Sequence, residues 1–183
     1  MSVYTSVSRS QLSTWLDAFD LGELDEFKGI AAGIENTNYF VTTSQGRYVL
    51  TLFEKLQPEE LPFYLGLMTH LSARGIPCPR PIPNRQGDVL GTLCGKPATL
   101  VSRLPGHDVE AADASQCAQV GAMLARMHLA GQDYPQTMPN PRGRAWWRAA
   151  ALEVIPRMPD DEVRLLEAEL VFQSGVDSEP LPR

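Results

Sequence analysis

No run of roughly 18 or more apolar residues occurs in the chain, so the sequence predicts no membrane-spanning helix. The N-terminus, MSVYTSVSRSQLSTW, lacks the basic patch and apolar core of a secretory signal. Cysteine is scarce. Cys78, Cys94 and Cys117 are scattered, with no Cys-x-x-Cys pair and no metal-ligand spacing. Reduced, mostly buried thiols in a cytoplasmic protein are the expectation. An excess of basic residues is also missing. The net charge is -6, which argues against a general nucleic-acid or anionic-membrane binder and leaves room for a local anion site. Internal repeats and low-complexity tracts are absent. The 183 residues, 43% hydrophobic and 21% charged, suit a soluble globular chain of one domain, or one and a fraction.

Local signals order the first half. Ser8 stands three residues before Gln11, a capping-box spacing, and Leu12, Trp15, Leu16 and Phe19 follow at helical period. An amphipathic helix ending near Gly22 is expected. DEFKGIAAG reads as a strand weakened by Gly29. NTNYFVTTS and RYVLTLFE read as two more, joined by a tight SQGR turn. The span 25–54 is then an antiparallel three-strand meander. In PEELPFYLGLMTHLSARG, Leu61, Tyr64, Leu65, Met68 and Leu71 form an apolar stripe. Pro62 fits only the first turn, and Gly75 suits the residue just past the helix end. Prolines 77, 79, 81 and 83 force a stiff extended segment. VLGTLCGKPATLVSRLPG reads as two strands around a Gly95-Lys96 turn.

Beyond Gly106 the pattern is helical. Asp113 and Gln116 repeat the capping-box spacing. The small and apolar residues Cys117, Val120, Gly121, Leu124, Met127 and His128 suit a closely packed helix. GRAWWRAAALEVIPRM and DDEVRLLEAELVFQSG read as two further helices, and DSEPLPR as a polar loop. The fold class is α+β: about five strands, a connector near residues 102–107, then an all-helical portion. Two lobes with a cleft between them are expected, and a cleft is a common place for a ligand.

Four stretches, in this order, resemble the aminoglycoside-phosphotransferase-like kinases, a branch of the protein-kinase-like fold. AAGIENTNYFVTTSQGRYVLTLFE looks like their nucleotide loop and following strands. LMTHLSARGIPCPRPI looks like their helix and Pro-punctuated link. ATLVSRLPGHDV looks like their hinge, and VGAMLARMHLAG like the first large-lobe helix. Within the family, GIENTNYFV, YVLTLFE and RGRAWW are most similar to the bacterial homoserine kinases. The resemblance implies a complete small nucleotide-binding lobe over residues 1–104, a hinge at about 101–105, and an incomplete helical large lobe over 106–183. It implies ATP and Mg2+ as cofactors, L-homoserine as the small-molecule substrate, and a place in threonine biosynthesis. Related kinases for choline or ethanolamine, hydroxylysine or an aminoglycoside remain alternatives, as does a non-catalytic nucleotide-binding module.

Phosphates need backbone N–H groups and close approach of the main chain, and a Gly-containing hairpin loop supplies both. On the residues alone, 31–50 is equally an ordinary hairpin. The resemblance makes Gly33, Asn36, Thr37 and Asn38 the phosphate loop. Many kinases of this fold carry a lysine on the strand after the loop, paired with a helix glutamate. This chain has Thr51 there. Magnesium, Lys55 and Lys28 are the alternatives for neutralising the phosphates, with Lys55 better read as a solvated strand end. Glu59 and Glu60 read as exposed first-turn acids. The hinge offers backbone groups at Ser102 and Leu104 to adenine.

Arg142 and Arg144 precede two tryptophans. They either hold an amino-acid carboxylate by bidentate pairing or form an exposed basic turn. Trp146 and Trp147 diverge by about 100° on a helix, so one is expected in the core and one, Trp147, toward substrate. His128 reads as structural, and His70 and His107 as isolated. No metal ligands are assigned. A His-x-Asp-x-x-x-x-Asn catalytic loop, which the family uses, is absent from the 183 residues. PLPR looks like the segment just before that loop, so the chain is expected to be an N-terminal portion, inactive by itself.

Overall fold

A computed structural model describes residues 4–176. The chain divides into two compact units, one ending at Pro135 and the other beginning at Gln136. The boundary expected near residues 104–106 therefore does not coincide with this division. The polar loop expected over DSEPLPR lies outside the described residues.

In the first unit, helix α1 (Arg9–Leu16) opens with the expected reciprocal cap. Ser8 Oγ accepts from the Gln11 N–H at 3.2 Å, and Gln11 Oε1 accepts from the Ser8 N–H at 2.9 Å. The helix stops at Leu16, short of Gly22. Arg85, from far along the chain, takes up the carbonyls beyond it. Its guanidinium donates to the Asp17 and Phe19 carbonyls at 2.8 and 3.3 Å, and its N–H to the Ala18 carbonyl at 2.9 Å. Phe19 is still buried, but from a turn rather than a helix.

Strands β1 (Leu24–Gly29), β2 (Thr37–Thr43), β3 (Gly46–Leu52), β4 (Gly91–Leu93) and β5 (Lys96–Ser102) form one sheet in the order β1-β2-β3-β5-β4. All neighbours pair antiparallel. The β2–β3 turn is Ser44-Gln45, as its sequence suggests. The β4–β5 turn centres on Cys94 and Gly95, one residue before the expected position. Both have positive φ, 52° and 74°, the pair of angles a type I′ hairpin requires.

The pleat sorts β2 into two faces. Thr37, Tyr39, Val41 and Thr43 are buried, while Asn38, Phe40 and Thr42 are half-buried. Tyr39 and Val41 of that set, with Leu50, Leu52, Ala98 and Leu100, form one core with Leu12, Leu16 and Phe19. Asn38 and Phe40 share the opposite face with their cross-strand partners Thr51 and Val49.

The Pro-rich stretch is extended and extends the pairing. Pro81 bridges Val101, the Ile82 N–H donates to the Leu100 carbonyl at 2.8 Å, and the Ser102 N–H donates to the Arg80 carbonyl at 2.9 Å. Prolines at odd positions lack N–H groups, so pairing falls to the even residues.

Helix α2 (Leu61–Ala73) carries Pro62 in its first turn and ends in a Schellman arrangement. The Gly75 N–H reaches the Ser72 carbonyl and the Ile76 N–H the Leu71 carbonyl, both at 3.1 Å, with Gly75 at φ 73°. Helix α3 (Ala114–Gly131) starts on the expected Asp113–Gln116 box. It groups with the sheet because residues just past its end grip α2. Tyr134 Oη donates to the Phe63 carbonyl at 3.0 Å, and Asp133 pairs with Arg74 and His70.

Close packing of α3 does not hold among the described residues. None of its residues is buried, and Val120, Leu124 and Leu129 are 60%, 47% and 66% exposed. Mostly buried thiols do not hold either. Cys78 and Cys94 are half-buried and Cys117 is exposed. Among the described residues, no helix is long and apolar enough to cross a membrane.

The second unit holds α4 (Arg144–Val154), a 3-10 turn (Ile155–Arg157) and α5 (Asp160–Gly175). An open apolar hollow of about 460 Å³ lies between α4 and α5, walled by Trp146, Trp147, Val154, Leu166 and Leu170.

Candidate nucleotide site

The loop 31–36 joins β1 to β2. Its neck is closed by the Ile30 N–H donating to the Asn38 carbonyl at 2.9 Å. Inside the loop Gly33 has φ 136°, a region that favours glycine over side-chain-bearing residues. The loop is solvent-exposed from Ala31 to Glu35, and Asn36 is half-buried. Tyr4 braces it, donating its hydroxyl to the Ile34 carbonyl at 3.1 Å.

Asn38 and Thr51 are cross-strand partners on the half-buried sheet face. Thr51 Oγ1 donates to Asn38 Oδ1 at 2.7 Å, and Asn38 Nδ2 donates to the Asn36 carbonyl at 3.4 Å. The structure thus gathers Gly33, Asn36, Asn38 and Thr51 at one end of the sheet.

Thr37 does not join them. Its side chain is fully buried on the core face, as strand parity dictates. Its hydroxyl accepts the N–H groups of Tyr4 and Thr5 at 2.9 and 3.0 Å and donates to Glu54 Oε1 at 2.7 Å. A hydroxyl so committed has no proton for a phosphate. The Thr37 side chain therefore steadies the foot of the loop.

Glu54 is the residue that sequence reasoning missed. Its carboxylate, 12% exposed, accepts Thr5 Oγ1 and Thr37 Oγ1, each at 2.7 Å, and pairs with Lys96 Nζ at 3.1 Å. Burial pushes its pKa up. The hydrogen bonds from Thr37 and Thr5 and the Lys96 pair outweigh that and hold it below the ordinary value. No spacing announces this cluster, because its members come from four separate stretches. The only local sign is a carboxylate ending an apolar strand.

The other cations lie elsewhere. Lys96 is occupied by Glu54. Lys55 is exposed past the end of β3. Lys28 is exposed on β1 opposite Phe40. Glu60 precedes α2 and accepts the Gln57 N–H at 2.9 Å, and Glu59 is exposed, so both are solvated acids. Among the described residues, no three His, Cys, Asp or Glu side chains converge as metal ligands.

Where the hinge is expected, Ser102 is tied to the Pro-rich segment by two bonds. Its N–H donates to the Arg80 carbonyl and its Oγ accepts the Arg80 N–H, both at 2.9 Å. Arg103 donates its N–H to the Arg47 carbonyl at 3.2 Å and lays its guanidinium over Phe40, 4.1 Å from the ring centre. Leu104 is 42% exposed.

In the second unit, Arg144 donates to the Val176 carbonyl at 2.8 Å, a structural task. The Arg142 guanidinium lies 5.7 Å from the Trp146 ring centre. Trp146 and Trp147 do not divide between core and cleft. They are 49% and 40% exposed and wall the same hollow. His107 and His128 are exposed. His70 is not isolated. Its Nε2 lies 2.9 Å from the Ala130 carbonyl and its Nδ1 3.0 Å from Arg74 Nη1.

A homoserine kinase of Cupriavidus pinatubonensis is 52% identical over 179 residues, 96% of this chain and 54% of that protein. Another, of Methylobacillus flagellatus, is 52% identical over 183 residues, 100% of this chain and 57% of that protein. The chain thus spans about half the length of the curated relatives it matches. Among solved structures, a spectinomycin phosphotransferase in complex with ADP and spectinomycin superposes with a TM-score of 0.67 at 14% identity, over 96% of this chain and 60% of that one. An amicoumacin kinase in complex with AMP-PNP, Ca2+ and Ami gives 0.67 at 16% identity, over 94% of this chain and 55% of that one. These likenesses establish an α+β, protein-kinase-like fold. The sequence profile described as the phosphotransferase enzyme family matches residues 26–176, and the chain belongs to that family.

Proposed function

We propose that the intact protein transfers the γ-phosphate of ATP to the hydroxyl of L-homoserine, giving O-phospho-L-homoserine. The observation that carries this reading is the 49–52% identity to proteins named homoserine kinase across nearly all of the 183 residues. In it, residues 1–104 are the nucleotide-binding lobe and 101–105 the hinge.

In this reading each group has its own task. The loop around Gly33 and Asn36 brings main chain close to the phosphates. The Ser102 carbonyl accepts the adenine amino group, and the Leu104 N–H donates to a ring nitrogen. Phe40, Val49 and Val101 lie on the sheet face that adenine would cover. The spectinomycin and amicoumacin enzymes were solved with ADP and with AMP-PNP and Ca2+, which supports nucleotide and divalent-cation use. Magnesium belongs to the reading as the phosphate counter-ion, although no three His, Cys, Asp or Glu side chains converge to hold it among the described residues.

The test is a substrate panel. Intact protein is incubated with ATP and magnesium and, in turn, homoserine, choline, ethanolamine, hydroxylysine and an aminoglycoside. Homoserine-dependent ADP release, with O-phosphohomoserine identified by mass, is the expected result. Turnover with another alcohol and none with homoserine would overturn the substrate.

A further inference from the structure

A lysine is what many kinases of this fold place where Thr51 stands, and a threonine hydroxyl cannot replace its charge. The geometry shows what the hydroxyl does instead. Thr51 Oγ1 gives its single proton to Asn38 Oδ1 at 2.7 Å. That proton is therefore not available to a ligand. It fixes the Asn38 amide, because an amide whose oxygen faces Thr51 must turn its nitrogen away from it.

The nitrogen faces the loop. One of its protons makes a long bond to the Asn36 carbonyl, 3.4 Å from Nδ2. Among the described residues the other meets no acceptor. Gly33 explains why it stays uncovered. A Cβ built on Gly33 would rest 3.6 Å from Asn38 Nδ2, and among the described residues, its two chain neighbours aside, no other atom lies within 4 Å of that position. Glycine here leaves open the space above the amide.

We propose that Asn38 Nδ2 is the neutral donor that meets the nucleotide phosphates in place of the absent lysine, and that Thr51 is the positioning residue that aims it. The inference rests on reading residues 31–36 as the nucleotide loop. A dipole replaces a charge, so the contact is weaker than an ammonium would give but requires no desolvated cation. It also explains the opposed polarity of the pair: Thr51 takes the acceptor end of the amide and leaves only the donor end for an anion.

Intact protein and its variants are titrated with ATP and separately with adenosine, with melting curves recorded for each. Asn38→Asp keeps an acceptor for Thr51 and presents a carboxylate to the phosphates. It is expected to lower ATP affinity roughly tenfold or more, the scale of a lost hydrogen bond to a charged group, while adenosine binds as in the wild type. Thr51→Val frees the amide to turn and should lower ATP affinity about threefold by the same scale. Thr51→Ser restores the hydroxyl and should recover it. An Asn38→Asp protein that binds ATP as the wild type does would overturn the proposal. So would equal losses for ATP and adenosine, or a Thr51→Ser protein no better than Thr51→Val. A wild-type protein that binds neither ligand would overturn the nucleotide reading itself, and this proposal with it.

Discussion

Thr37 Oγ1 donates to Glu54 Oε1 at 2.7 Å, so a residue just past the end of β3 holds the one that follows the 31–36 loop. Through the same carboxylate the loop is tied to Thr5 and, by way of Lys96, to the start of β5. Tyr4 completes the brace from outside. The loop tip is exposed, yet its foot is anchored at a buried polar cluster. Such a cluster stabilises only while every partner is present.

That cluster predicts an acid limb in stability. The Glu54 pKa lies lower in the folded chain than its ordinary value. The unfolded chain therefore takes up the proton first as pH falls, and the folded state loses ground. The contribution is complete above the ordinary carboxylate range and is lost as pH drops through the lowered folded value. Glu54→Gln should flatten this limb in melting temperatures recorded from neutral to acid pH. Glu54→Ala should cost about 1–3 kcal/mol at neutral pH, since Thr37, Thr5 and Lys96 all lose a partner. A wild-type acid limb unchanged in Glu54→Gln would assign the titration to another group.

Gly33→Val tests the loop tip. A β-branched residue at φ 136° is strained, and its side chain would also cover the Asn38 amide. Because the loop is exposed it can relax, so the strain appears in binding more than in folding. The intact variant should raise the ATP KM severalfold or more, with a melting temperature close to that of the wild type. Wild-type kinetics would place the phosphates elsewhere.

How much of this was legible depended on distance along the chain. Both capping boxes, the β2–β3 hairpin and the Gly75 helix stop are written within a few residues, and each reads correctly. The end of α1 does not. Phe19 fits the helical period, but Arg85 takes the Asp17 carbonyl across a separation of 68 residues. Glu54 was invisible for the same reason, meeting Thr5 and Thr37 over separations of 49 and 17. The inward turn of Thr37 was in principle readable. Strict alternation puts Thr37 with Tyr39 and Val41, but Phe40 makes the opposite face apolar too, so the pattern alone did not choose.

Gly66 and Tyr134 should show strong coupling. A Cβ at Gly66 would fall on Tyr134 Oη, far inside contact distance, while the ring carbons behind it stand at 3.5 and 3.8 Å. Gly66→Ala should therefore displace the hydroxyl from the Phe63 carbonyl and leave that bond unmade, at about 1 kcal/mol. Tyr134→Phe alone costs a similar amount. With the hydroxyl gone the space is open, and Gly66→Ala should then stabilise by up to about 1 kcal/mol through helix propensity. The sign of one substitution reverses with the other, and a double-mutant cycle in denaturant reads it. Additive effects would show that Tyr134 already gives way at no cost.

The last prediction concerns residues 1–183 expressed alone. They contain no His-x-Asp-x-x-x-x-Asn, the loop from which kinases of this fold draw the acceptor of the hydroxyl proton and a metal ligand. Positioning and charge stabilisation are most of phosphoryl-transfer catalysis, so ATP with homoserine should give no turnover above background. The helices also carry uncovered apolar surface. Leu124, Leu129, Trp146, Leu152, Leu165 and Phe172 are between 47% and 76% exposed. Apolar surface on this scale favours association. The chain should bind a hydrophobic dye strongly and self-associate as concentration rises, whereas the intact protein should do neither. A monomeric 183-residue chain that ignores the dye and phosphorylates homoserine would mean that the proton acceptor stands among residues assigned structural tasks, with Glu54 and Asp133 the first to be substituted in search of it.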